Sequence, residues 1–116
     1  PLNGNRGPVA QAEARRVTAE KRFVAQQLTV QGELDVALAA YRASRAKVET
    51  AASLSAEAVT AADTTKRVVD AGELSPLEHT RRQIEASTAK VALMAAEMEA
   101  QAAAGALEDA MQAPLR

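Results

Sequence analysis

His79 is the only histidine in the chain, and it stands beside Glu78. An imidazole next to a carboxylate offers two ligands to a divalent metal. A bound ion needs three or more converging donors, and nothing nearby within one chain supplies the rest. His79 is therefore expected to face solvent, and no metal site is expected. Met94 and Met98, one helical turn apart, have thioethers of the kind that suit Cu(I). They fall in an apolar stripe, where packing is the simpler role. No nucleophile–base pairing, glycine-rich phosphate loop or carboxylate constellation occurs, so neither an enzyme nor a cofactor is expected.

The other residues with a chemical role stand at a break. Ala71-Gly72-Glu73-Leu74-Ser75-Pro76-Leu77-Glu78 separates two long runs of helix-forming residues. Gly72 lacks a Cβ and can take the left-handed conformation that closes a helix. Ser75 can cap the next helix, with Pro76 in its first turn. Glu78 stands where a capping-box carboxylate reaches back to the Ser75 N–H. The reading is a turn at 72–75 between a long helix at 8–71 and a second at 76–111, flanked by a turn-rich 1–7 and a tail at 112–116. At 1.5 Å per residue the first helix would be roughly 95 Å long, far beyond what a globular core supports.

Composition explains what could support such rods. The 116 residues are 47% apolar but only 2% aromatic, and alanine supplies most of the apolar count. Small side chains bury little area each, so a long seam of close helix contact is expected rather than a thick interior. In the first helix Leu34, Leu38, Tyr41, Val48, Ala52, Val59, Ala62 and Val69 follow three- and four-residue steps. Arg45, Ser55 and Lys66 are the polar members of that seam. A second stripe from Ala37 and Ala40 through Ala51, Leu54, Ala58 and Ala61 to Val68 runs beside it. In the second helix Leu77, Ile84, Val91, Met94 and Met98 form one seam. Ala86, Ala89, Leu93, Ala96, Ala100, Ala103, Leu107 and Ala110 form another, nearly opposite. Two seams per helix exceed what one hairpin can hide, so self-association or further helices are expected. Gly32 and Gly105 read as tolerated interior glycines, the latter as the start of fraying toward Pro114.

Formal charge is −1 with both signs interspersed, which gives no footprint for nucleic acid. Cysteine is absent, which excludes disulfides and thiolate metal sites. No apolar run is long enough for a membrane-spanning helix. The chain opens at Pro1 rather than Met and is read as a segment of a longer protein.

Three stretches carry a resemblance. Pro1-Leu2-Asn3-Gly4-Asn5-Arg6-Gly7-Pro8-Val9-Ala10, followed by Ala12, Ala14 and Arg15, resembles the segment of TolC-type outer-membrane efflux factors that leaves the last membrane strand. The heavy-metal branch, of cobalt–zinc–cadmium type, is the most similar. Gly72-Glu73-Leu74-Ser75-Pro76-Leu77-Glu78 is similar to that family's periplasmic turn. Ala106-Leu107-Glu108 with Ala110 and Pro114-Leu115 resembles its closing segment, with Gln112 and Ala113 near the usual glycine. The match spans nearly the whole chain and only the second half of a full family member.

The resemblance implies an all-α, long antiparallel hairpin from a TolC-like trimeric α-barrel. It implies a place in the outer membrane of a Gram-negative bacterium, with this segment in the periplasm. Partners would be a periplasmic adaptor and, beyond it, an inner-membrane pump, with metal ions as exported cargo. Gly72, Glu73, Leu74 and Ser75 would be the tip that meets the adaptor, although a turn alone would account for Gly72 and Ser75. Glu78 matches the family's acidic position near the tunnel entrance, and Arg81 and Arg82 become entrance candidates, with plain solvation as the simpler role. Two other readings stay open. One is the hairpin of an adaptor itself, whose tips usually carry an Arg-Leu-Ser pattern where this chain has Glu73-Leu74-Ser75. The other is a coiled-coil scaffold.

Overall fold

The computed structural model describes residues 6–112: two α-helices joined by one turn, with no strand among them. Helix α1 spans Arg6–Asp70 and helix α2 spans Pro76–Gln112. They fold back on each other as an antiparallel hairpin measuring 108 × 17 × 15 Å. The radius of gyration is 29.1 Å, where a compact domain of this length would have about 13 Å. The all-α hairpin expected from the two uninterrupted runs is the fold.

Helix boundaries follow from which backbone groups need partners. α1 begins at Arg6 rather than Pro8, and Gly7 and Pro8 sit in its first turn, where N–H groups have no intrahelical acceptor anyway. Of the strand-exit segment expected at 1–7, Arg6 and Gly7 are helical and the rest lies outside the described residues; of the tail expected at 112–116, Gln112 closes α2 and the rest likewise lies outside them. Gly105 does not start any fraying, because α2 continues through it to Gln112.

Where the helices touch, α1 shows one seam. The shielded positions include Val30, Leu34, Ala37, Tyr41, Ser44, Val48, Ala51, Ser55, Ala58, Ala62, Thr65 and Val69, in steps of four and three, and Leu38 and Val59 are shielded beside them. This is a heptad pattern that keeps Leu34, Leu38, Tyr41, Val48, Ser55, Val59, Ala62 and Val69 of the expected row and departs from it by one residue at three positions. Ala52, Arg45 and Lys66 are exposed, and Ala51, Ser44 and Thr65 take their places. The reason is desolvation: an alanine-rich face offers two registers, and only this one leaves both cations in water. The supposed second stripe of α1 is largely the other edge of the same face. Ala37, Ala51, Ala58, Ala61 and Val68 are shielded, whereas Ala40 and Leu54 are exposed.

On α2 the inward seam is the expected one, from Ala86 through Leu93, Ala96, Ala100 and Leu107 to Ala110. Every buried residue among those described is small: Ser44, Ser55, Ala62, Ala86, Ala96 and Ala100. Ser44 donates its hydroxyl proton to the Tyr41 carbonyl at 2.7 Å, and no buried side-chain N or O among the described residues lacks a partner. One ion pair bridges the helices, Lys47 Nζ to Glu99 at 3.1 Å, with both side chains more than half exposed. At such exposure it contributes at most about 1 kcal/mol. Close packing of small side chains holds the rods together.

The helices are unequal. α1 has 65 residues and α2 has 37, so α2 ends level with Thr29–Glu33, where Ala106 and Ala110 face α1. Residues 6–29 form an arm of α1 with no helix beside it, exposed at every position.

Candidate functional site

The turn is built as its residue types require. Gly72 has φ +80°, the left-handed region that L-residues with a Cβ avoid. With it there, the Gly72 N–H reaches the Val69 carbonyl at 2.9 Å and the Glu73 N–H reaches the Val68 carbonyl at 3.1 Å. These two crossed bonds form a Schellman motif, and they satisfy carbonyls that the end of α1 would otherwise leave open. Two residues later Ser75 Oγ accepts the Leu77 N–H at 3.3 Å, capping α2. Glu73, Leu74 and Ser75 therefore project from the end of a stiff rod, and all are exposed. Leu74 is 46% exposed, an apolar side chain in the turn itself.

Glu78 differs from expectation in one respect. Its backbone N–H donates to the Ser75 carbonyl at 3.0 Å, but its carboxylate lies 3.8 Å from the Arg81 guanidinium. The side chain points along the helix, where the cation attracts it, so the reciprocal half of the capping box is not made. Arg82 pairs likewise with Glu85 at 3.1 Å. Both arginines stay exposed and are engaged within their own helix. The tip and the entrance candidates thus occupy one end of the hairpin as a short band of charge behind an apolar point.

His79 does not face solvent freely. It is half-buried at the head of the α2 seam, seven residues and so two turns before the buried Ala86 on the same face. No group of three or more His, Asp or Glu residues able to hold a metal comes together among the described residues. Met94 and Met98 are exposed by 61% and 69% on the outer face of α2, together with Leu77, Ile84 and Val91. Their packing role therefore requires something outside this hairpin. No helix among the described residues is long and apolar enough to cross a membrane.

Three comparisons with known proteins give no support to any assignment: no family model, no curated protein and no solved structure matches this chain. Function must be argued from the rod, its point and its uncovered faces.

Sequence reasoning missed a second exposed apolar region, the arm. Val9, Val17, Phe23, Val24 and Leu28 are each between 42% and 68% exposed there. The signal was present in the sequence: the heptad seam, extended back from Val30, reads Gln27, Phe23, Glu20, Arg16, Glu13 and Val9. Polar residues at four of those six positions leave little apolar surface in that row for a partner helix to bury.

Proposed function

We propose that this chain is a tunnel-wall and tip segment of an outer-membrane efflux channel, working in the periplasm as part of a tripartite export system. The observation that carries the reading is the pairing of an exposed apolar tip with an exposed apolar stripe along α2. A free-standing hairpin gains nothing by showing Leu74 and the row Leu77, Ile84, Val91, Met94 and Met98 to water. In a tunnel wall the row would lie against the next helix of the trimer, and the tip would meet a periplasmic adaptor linked to an inner-membrane pump. Glu78, Arg81 and Arg82, just behind the tip, would line the entrance. Resemblance to the heavy-metal branch extends the proposal to metal ions as cargo.

The test is a photoactivatable crosslinker at position 74 in the full-length protein that carries this segment, expressed in its own cell. The expected adduct is a periplasmic adaptor. An adduct with an outer-membrane channel would instead assign the hairpin to the adaptor itself. Adducts confined to cytosolic proteins would remove both readings.

A further inference from the structure

The outward faces of the two helices, each turned away from the seam, carry rows that differ in kind. On α2, Leu77, Ile84, Val91 and Met98 recur every seven residues with Met94 beside them, and each is between 61% and 69% exposed. On α1, Ala39, Ala46, Ser53 and Thr60 recur every seven residues, with Ala43, Thr50, Glu57 and Thr64 alongside, all exposed. One face is a line of large apolar knobs, and the other is a line of small side chains that leaves room for them. Within one hairpin the two rows point apart and cannot meet.

Charge selects how they meet on two molecules. Lys90 and Glu97, seven residues apart, edge the α2 row, and Arg42 and Glu49, also seven apart, stand on the corresponding edge of the α1 row. None of these four makes an ion pair among the described residues. The Lys47–Glu99 bond sets the level of α1 against α2 in one hairpin. Two hairpins side by side with tips level would therefore oppose Glu97 to Glu49 of the neighbour. Displacing the neighbour by one heptad, about 10 Å toward the tip, instead puts Lys90 against Glu49 and Glu97 against Arg42. The same displacement seats Leu77 between Thr60 and Thr64, and Ile84 between Ser53 and Glu57. It also seats Val91 between Ala46 and Thr50, and Met98 between Ala39 and Ala43. The opposite displacement keeps one attraction only, Lys90 with Asp63.

We infer that the outward face of α2 docks on the outward face of α1 of a second copy, rods side by side, pointing the same way and staggered by one heptad. The two patches differ, so the contact is heterologous, and each copy offers its other patch to a further copy until a ring closes. Tilted elements in a closed wall are staggered on their neighbours in this way, as strands are in a barrel. The common direction of the rods rests on the tunnel-wall reading, whereas the match of the faces stands on the chain's own residues.

The chain has no cysteine, so introduced thiols report without background. Ala46→Cys and Val91→Cys lie on opposite outward faces of one hairpin, too far apart for a disulfide within it. The expected result on oxidation is that the double variant forms covalent species larger than a dimer, while neither single variant crosslinks. Glu49→Lys should weaken association in sedimentation equilibrium by about fivefold. Adding Lys90→Glu should restore it, with helicity by circular dichroism unchanged throughout. A chain that is monomeric or unfolded at every concentration tested overturns the inference. So does a disulfide dimer from Val91→Cys alone, which would set α2 against α2 across a two-fold axis. A double charge reversal that fails to recover association overturns the register. The Leu74 crosslink reports on the tip and these variants on the outward faces, so either reading can fail without the other.

Discussion

Gly72 is the residue on which the reversal turns. A Cβ built there meets nothing within 4 Å, so the demand is on the backbone alone. Gly72→Ala is expected to cost about 1–2 kcal/mol through its positive φ, with Asn recovering part of the loss. Thermal unfolding followed at 222 nm checks both. Ser75→Ala removes the Leu77 N–H acceptor and should cost about 1 kcal/mol. Restoring the cap with Asp should return the midpoint to its starting value. Glu78 contributes to that cap only through its backbone, so Glu78→Gln should leave the midpoint nearly unchanged. A large loss in that variant would mean that the carboxylate is part of the cap after all.

At the scale of the elements, the pairing of α1 with α2 depends on smallness. Ala100 is 5% exposed, the most buried alanine in the seam, and a leucine there must push the rods apart. Ala100→Leu is expected to destabilise the hairpin by about 1–3 kcal/mol by overpacking. Gly105 presents the opposite case: no atom lies within 4 Å of an added Cβ and its φ is not left-handed. Gly105→Ala should therefore stabilise α2 by about 1 kcal/mol through helix propensity alone. Urea titrations of both variants give the two signs directly, and a destabilising Gly105→Ala would imply a close neighbour at that position. The seam of α1 was legible in the sequence as a period and over most of its length as a register, but not at Arg45, Ala52 and Lys66. Alanine at so many positions makes neighbouring rows nearly equivalent in burial, and only the partner helix chooses between Arg45 and Ser44.

For the whole molecule, the governing quantity is area left uncovered. A rod whose buried residues are all alanine or serine gains little by folding alone. Its stability should therefore rise with concentration as copies cover one another. The unfolding midpoint is expected to increase across a hundredfold concentration series, and a flat midpoint would mean that the hairpin is self-sufficient.

The two helices, the reversal between them and its caps were determined by the sequence itself. Each depends on interactions within four or five residues: propensity, a glycine that admits positive φ, a serine oxygen over free N–H groups. Only the tertiary structure decided which residues of α1 meet α2 between the shared positions of the seam, and that His79 is turned inward. Those outcomes depend on contacts between residues some fifty positions apart, such as Lys47 and Glu99. There the cost of desolvating a cation, not local preference, selects among nearly equal alanine rows.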